Sequence, residues 1–131
     1  MSVEAPGRAV VGPLWARVAV IFAGGFLGTA ARVALLGLVG HEQVALGVVN
    51  VLGCLAIGLI SGCFGPRVTL WRLFLAVGGV AAFTSWSSLA LQGMESFGAV
   101  IIVVAETIVG VVAAGLGHLL GWRYLRRDGD G

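Results

Sequence analysis

The chain has 131 residues, of which 59% are hydrophobic and 11% charged, and its formal net charge is +2. A soluble domain carries about 25% charged residues, so this composition excludes an ordinary soluble enzyme or binding domain. It also excludes nucleic acid as a partner, because the arginines lie at the ends of apolar segments instead of forming a basic patch with interleaved aromatic residues.

Four apolar segments, each long enough to cross a bilayer, occupy most of the sequence. They run from Trp15 to Val39, from Val44 to Phe64, from Leu70 to Gly93 and from Phe97 to Gly121. A helix needs about 20 mostly apolar residues to cross the hydrocarbon core. A transmembrane barrel would instead show short segments of alternating hydrophobicity. The sequence therefore predicts an all-α integral membrane protein, with four transmembrane helices in a single domain embedded in membrane lipid.

The arginines indicate how these spans are oriented. Seven of the eight lie on the side shared by both termini and the second loop: Arg8, Arg17, Arg67, Arg72, Arg123, Arg126 and Arg127. The opposite side, which contains His41, Glu42 and Glu95, has no arginine. Because positive residues favour the cytoplasmic side, both termini are predicted to be cytoplasmic. The first apolar run is too long for a secretory signal, so no cleaved signal peptide is expected before Leu14.

Small residues recur at a spacing that suits close helix packing. Glycines four residues apart occur three times, as Gly24 with Gly28, Gly58 with Gly62, and Gly117 with Gly121. This spacing lets helix backbones approach closely, and we interpret it as general packing more than as a specific dimer motif. Cys54 and Cys63 lack CxxC or metal-ligand spacing, and we interpret them as small packing residues too.

The third span carries the densest group of polar side chains. Thr84, Ser85, Ser87 and Ser88 place four hydroxyls within five residues. If the helix is broken here, free carbonyls can coordinate a cation, and hydroxyls can donate to an anion. The alternative is a continuous helix whose hydroxyls bond back to the preceding turn. The residues alone leave both interpretations open.

Three further polar residues lie inside the spans. Asn50 needs a hydrogen-bond partner on another helix or a polar path to line. Arg32 and Glu106 each cost about 2.5–3.5 kcal/mol if left unpaired near a helix centre. Since both lie at a similar depth from the outer side, we predict an ion pair between them, direct or through water. The alternative is that Arg32 bonds to carbonyls and Glu106 is protonated.

Three motifs, in matching order and spacing, resemble one family. The segment from Gly24 to Arg32 resembles the GGxxGAxxR opening of the CrcB/Fluc fluoride channel family, Val48-Val49-Asn50 resembles its VN motif, and the segment from Phe83 to Ser88 resembles its TTFSTF segment. The resemblance implies an antiparallel dual-topology-type dimer in which one subunit is inverted. It also implies two fluoride pores and a third helix broken near the middle of the membrane.

The resemblance further implies two ions and a set of site residues. A central structural sodium ion would bind the backbone carbonyls of Ala81 and Thr84. Fluoride would permeate past a set of pore residues, namely Arg32, Asn50, Phe83, Trp86, Ser87 and Ser88. The family's pair of phenylalanines falls on Trp86 and Leu89, and leucine has no aromatic edge. Other departures from the family pattern are Leu46, Ala81 and Gln92.

The sequence therefore predicts a fluoride channel subunit, and not an enzyme, that lowers cytoplasmic fluoride by passive export across the bacterial plasma membrane. The expected partner is an inverted CrcB-like subunit. A heterodimer is favoured over a homodimer, because the arginine distribution permits one orientation.

Two other classes of protein stay open. One is a proton-coupled exporter of the small multidrug-resistance kind, which would need a carboxylate in the first span, and the other is a non-conducting assembly or regulatory subunit.

Overall fold

The computed structural model describes residues 12–65 and 67–129, and this part of the chain is all-helical. Four helices are long and apolar enough to cross a membrane: Leu14–Leu38, Glu42–Phe64, Leu70–Gly93 and Phe97–Asp128. The four predicted spans are therefore confirmed as helices. The last helix extends well past Gly121, where the prediction ended it. Arg8 and the rest of the N-terminal segment up to residue 11 lie outside the described residues, as does Pro66.

The third span is not a uniform helix. The elements in chain order are α1 (Leu14–Leu38), α2 (Glu42–Phe64), α3 (Leu70–Arg72), a π-helical segment (Leu73–Val80), α4 (Ala81–Phe83), α5 (Trp86–Gly93) and α6 (Phe97–Gly129). The π-helical segment is wider than an α-helix because its amides bond five residues back. Thr69 starts α3, since its hydroxyl oxygen accepts a hydrogen bond from the Arg72 amide at 3.1 Å.

Glycines on α1 allow it to contact the backbone of the third span. A β-carbon on Gly24 would collide with the carbonyl oxygen of Phe74, and one on Gly28 would collide with that of Gly79. Gly78 in turn lies against the backbone of Ile21 on α1. Because no side chain separates the two backbones, α1 and the π-helical segment pack as one unit.

Glycines also allow close backbone contact between α2 and α6. A β-carbon on Gly58 would collide with the carbonyl oxygen of Ala114, and one on Gly117 would collide with that of Leu55. Gly62 and Gly121 make equivalent contacts one turn further along. All three predicted glycine pairs thus pack within the chain.

Both cysteines are free thiols that contact α6. The Cys54 sulfur lies 3.1 Å from the position that a β-carbon on Gly110 would occupy. The Cys63 thiol lies 3.8 Å from the carbonyl oxygen of Gly121. Their interpretation as packing residues is therefore confirmed.

The loop between the second and third spans is held by an arginine. Gly65 ends α2 with a φ of 55°, in the left-handed region that glycine adopts without strain. Its carbonyl accepts a hydrogen bond from the Arg72 guanidinium at 2.7 Å, and the Arg67 carbonyl accepts another at 3.2 Å. Arg72 therefore satisfies the carbonyl of the residue that follows α2 and one further carbonyl in the loop.

We predict that Gly28→Ala destabilises the protein more than Gly37→Ala. The first substitution forces a methyl group onto the backbone of Gly79, whereas the second meets no atom within 4 Å. Overpacking of this kind costs about 1–3 kcal/mol. Thermal unfolding in detergent, followed by tryptophan fluorescence, should give a lower midpoint for Gly28→Ala. Equal midpoints would contradict the close packing of α1 against the third span.

Candidate functional site

The third span is interrupted between α4 and α5. Thr84 is extended, with φ -76° and ψ 154°, and Ser85 is also non-helical, with φ -138° and ψ 83°. In a continuous α-helix the Ser85 amide would bond to the carbonyl of Ala81. Here it donates instead to Oδ1 of Asn50 at 2.8 Å. Asn50 therefore satisfies, from the neighbouring α2, the amide that the interruption leaves without a partner.

The interruption also frees carbonyl groups. The Ala81 carbonyl, released from the Ser85 amide, accepts the Thr84 hydroxyl at 3.3 Å. The Thr84 carbonyl is approached by Nη1 of Arg32 at 3.5 Å, which is near the limit for a hydrogen bond. These are the two carbonyls for which the family resemblance implies a sodium ion. Neither accepts a backbone amide within the described chain, and carbonyl oxygens of unwound helices suit such cations.

The hydroxyls of the third span do not act as one group. The Thr84 hydroxyl bonds back to the carbonyl of Val80 at 3.2 Å, as the alternative interpretation predicted for the side chains. Ser85 is 7% exposed, and its Oγ lies 2.6 Å from Oγ of Ser88. Ser87, by contrast, is exposed. The hydroxyls thus have different partners and environments.

A cavity of about 150 Å³ lies between α2, α5 and α6. Its walls include Asn50 from α2, Trp86 and Leu89 from α5, and Glu106 and Thr107 from α6. Asn50 therefore accepts a hydrogen bond from the interrupted backbone through Oδ1 and also lines this cavity. The two positions that correspond to the family's aromatic pair both line it.

The predicted pore residues divide into two groups. Asn50 and Trp86 line the small cavity, whereas a second group does not: Arg32, Phe83, Ser87 and Ser88. Phe83 lies beside Gly53 of α2, Arg32 lies at the Thr84 carbonyl, and Ser88 bonds to Ser85. For both groups, a role in the pore stays a prediction.

Arg32 and Glu106, for which an ion pair was predicted, form no direct ion pair in the described chain. Arg32 lies on α1, which packs on the third span, and its guanidinium is directed to the Thr84 carbonyl. Glu106 lies on α6, with Oε1 2.7 Å from the position that a β-carbon on Gly47 of α2 would take. The prediction compared depths along the membrane normal, but the two helices carry these residues to different parts of the bundle.

Two buried polar atoms have no hydrogen-bond partner among the described residues. They are Nδ2 of Asn50 and Oε2 of Glu106. The Thr107 hydroxyl is satisfied, because it donates to the carbonyl of Val103 at 2.8 Å. Asn50 and Glu106 both line the small cavity, but these two atoms are themselves buried with almost no accessible surface.

Sequence reasoning did not place Ser85, Glu106 or Gly47 at the candidate site, although it grouped Ser85 with the other hydroxyls and paired Glu106 with Arg32. A signal existed for Ser85, because a serine followed three residues later by Ser88 places two hydroxyls on one helix face. Glu106 stood out by its charge alone. Gly47 carried no usable signal, because the chain has 22 glycines and nothing local distinguishes the one that faces a carboxylate.

Comparison with known proteins shows similarity along all four spans. Residues 19–121 match the family described as CrcB-like protein, Camphor Resistance (CrcB). The chain is 38% identical over 109 residues to Fluoride-specific ion channel FluC 1 of Rhodococcus jostii, covering 82% of this chain and 86% of that protein. It is 36% identical over 106 residues to Fluoride-specific ion channel FluC of Methylobacterium nodulans, covering 74% and 85%. It is 30% identical over 112 residues to Fluoride-specific ion channel FluC 2 of Thermobifida fusca, covering 76% and 83%.

We predict that Asn50→Ala exposes the Ser85 amide to exchange, whereas Asn50→Asp does not. Alanine removes the acceptor, and a buried donor without a partner costs about 1–3 kcal/mol, or roughly 5- to 150-fold in protection. Aspartate retains an oxygen where Oδ1 lies. Hydrogen exchange of the third span in detergent measures the difference, with Ser87→Ala as the control at an exposed hydroxyl. Unchanged protection in Asn50→Ala would show that the bond does not hold the interruption.

Proposed function

The chain belongs to the CrcB family, and we propose that it is a subunit of a fluoride-selective ion channel that lowers cytoplasmic fluoride by passive export across the bacterial plasma membrane. The observation that carries this proposal is the small cavity bordered by Asn50 and Trp86, next to the interrupted third span. The three relatives named above are all called fluoride-specific ion channels, which describes transport and not catalysis.

The cavity supplies groups that suit an anion. Fluoride accepts hydrogen bonds, so a dry site for it needs donors that replace water. The side-chain nitrogen of Asn50 is a buried donor without another partner among the described residues. An aromatic ring presents a positive edge, which Trp86 can offer and Leu89 cannot. This pair contains one aromatic residue instead of two. The fluoride path that it lines should therefore conduct less than the path lined by a pair with two aromatic residues.

In this proposal, the interruption of the third span lies near the middle of the membrane and forms an ion site. Sodium would be held there by the carbonyls of Ala81 and Thr84, both of which lack backbone amide partners within the described chain. When bound, such an ion would balance the partial negative charge of the freed carbonyls. Arg32, close to the Thr84 carbonyl, would contribute positive charge that attracts anions towards the entrance.

The working channel would contain an inverted second subunit. Arginines on a single side allow this chain one orientation, so a separate subunit with the opposite bias is favoured over a second copy of the same chain. Six of the seven arginines on that side lie within the described residues, namely Arg17, Arg67, Arg72, Arg123, Arg126 and Arg127. Both termini would then be cytoplasmic.

We predict that the chain expressed alone adopts one orientation, with its C-terminus in the cytoplasm. A cysteine added after the C-terminus should react with a thiol reagent that does not cross membranes in inverted vesicles but not in intact cells. The reason is that positive loops stay on the cytoplasmic side. The control is a variant whose loop arginines are moved to the 40–43 and 94–96 loops, which should show the opposite labelling. Equal labelling from both sides would remove the argument for a separate inverted partner.

We predict weak fluoride efflux from liposomes that contain this chain alone and strong efflux when the arginine-reversed copy supplies an inverted partner. Changing Leu89 and Trp86 to phenylalanine should increase the flux further. Asn50→Asp keeps the acceptor for the Ser85 amide but places a negative charge in the path, so it should abolish flux while the protein stays folded.

A fluoride electrode measures the efflux, with chloride and a cationic dye as the competing substrates and Gly37→Ala as the matched control. Strong flux from the unmodified chain alone would contradict the need for a partner. Proton-driven dye export without fluoride flux would contradict the channel itself and favour an exporter.

A further inference from the structure

The last helix is longer than a bilayer is thick. It has 33 residues, from Phe97 to Gly129, and at 1.5 Å per residue it is about 50 Å long. The hydrocarbon core measures about 30 Å and the whole bilayer about 40–45 Å. Because the apolar run of this helix ends at Gly121, the segment from Trp122 to Asp128 extends through the headgroup layer.

Three arginines of this segment share one face of the helix. Arg127 is four residues after Arg123, and Arg126 is three residues after it, so all three are neighbours on the helix surface. Asp128 follows Arg127 directly and therefore lies about 100° further around the helix. All four side chains are exposed. The face that carries the arginines is thus positively charged, and the carboxylate of the described segment lies beside it and not within it.

The same face is apolar one turn earlier, on the membrane side of the arginines. Leu116 and Leu120 lie seven and three residues before Arg123, so they continue its stripe along the helix. Each of these leucines is 54% exposed. The helix packs on α2 through another side, which carries Gly117 and Gly121. Leu120 and the three arginines border one open recess of about 510 Å³. Apolar surface and positive charge therefore meet in a single place.

The guanidinium groups of this face are available to an external acceptor. Arg126 stacks on the ring of Trp122, with Cζ 4.0 Å from the ring centroid. Stacking occupies a flat side of the guanidinium and leaves the N–H donors at its edge free. None of the three arginines makes a hydrogen bond or an ion pair with another described residue. Arg72, by contrast, donates to two carbonyls of its loop.

A phospholipid has the chemistry that this face would recognise. Its phosphate oxygens accept hydrogen bonds, and the planar fork of an arginine can donate two of them in parallel. Its acyl chains suit the exposed leucines that continue the stripe. A zwitterionic headgroup adds a cation that the arginines repel, so an anionic lipid is favoured. With both termini cytoplasmic, as proposed above, this end of α6 lies in the leaflet that carries the negative surface potential.

We propose that the C-terminal end of α6 is a binding site for an anionic phospholipid. Arg123 and Arg127 bind the phosphate, Arg126 binds the outer part of the headgroup from its place on Trp122, and an acyl chain lies along Leu120. This site lies apart from the fluoride path, because none of its residues lines the small cavity.

The first test measures quenching of tryptophan fluorescence by lipids that carry bromine on an acyl chain. The purified full chain is reconstituted in vesicles of phosphatidylcholine that contain increasing amounts of brominated phosphatidylglycerol or brominated phosphatidylcholine. The anionic lipid should quench more strongly at equal content, and this excess should be lost in Trp122→Phe. Each arginine near the surface is expected to contribute about fivefold in affinity, so Arg127→Gln should reduce the preference for the anionic lipid by about that factor.

Arg67→Gln is the matched control. It removes the same charge from an exposed arginine in the loop between α2 and α3, which does not border the recess, and it should keep the preference of the unmodified chain. Equal quenching by the two lipids would overturn the proposal. An equal loss in Arg67→Gln and Arg127→Gln would show attraction by overall charge without a site, and would overturn it too. Quenching of Trp122 by neither lipid would mean that protein covers this face, with the same consequence.

The second test needs no tryptophan signal. Native mass spectrometry of the detergent-purified chain should show retained phosphatidylglycerol, with less in Arg123→Gln than in Arg67→Gln. Soluble glycerol 3-phosphate at the same concentration has the phosphate but no acyl chains, so it should not displace the lipid. Displacement would contradict the role of the leucines and overturn the lipid site. Neither test measures fluoride flux, so their failure and a failure of the proposed channel are distinguishable.

Discussion

The structure depends on the requirement that every backbone polar group inside a membrane finds a partner within the protein. A helix meets this requirement by itself, but the third span leaves helical geometry at Thr84 and Ser85. The hydrogen bond from the Ser85 amide to Oδ1 of Asn50 replaces the one that the interruption removes. Without an acceptor at this place on α2, the interruption would leave the Ser85 amide buried without a partner, at a cost of about 1–3 kcal/mol.

Close packing of glycines brings that acceptor within reach. In lipid there is little hydrophobic driving force between helices, so helices associate through van der Waals contacts at short distances. Gly24 and Gly28 bring α1 onto the third span, while Gly58 and Gly117 bring α2 onto α6. A further glycine of α2, Gly53, lies against Thr84 and lets α2 approach the interruption itself. The same closeness lets the Glu106 carboxyl group lie against Gly47, which has no side chain at that point.

The sequence predicted the spans well because hydropathy is a local property, and it identified Asn50 because one amide is conspicuous in an apolar helix. It predicted the end of α6 too early, since the loss of hydropathy after Gly121 marks the membrane boundary but not the end of the helix. The direct Arg32–Glu106 pair does not form, for a related reason. Sequence position gives depth along a span, but it does not give the direction in which a helix face points. The Ser85 amide was not predictable either, because which amide loses its acceptor depends on the backbone path.

Asn50 illustrates why an amide, and not another polar group, suits this place. Its oxygen accepts the Ser85 amide, as an aspartate oxygen could, while its nitrogen is buried without a hydrogen-bond partner among the described residues. A serine or threonine hydroxyl has a single donor hydrogen and a shorter reach, and an aspartate has no donor when ionised. In the proposed channel, the side chain at this position must accept a backbone amide with one atom and offer a neutral donor to an anion with another. Few other residue types can do both. In the proposed channel, the structural and functional demands on the second span meet in this one residue, so its substitution would affect the fold and the ion path through different atoms.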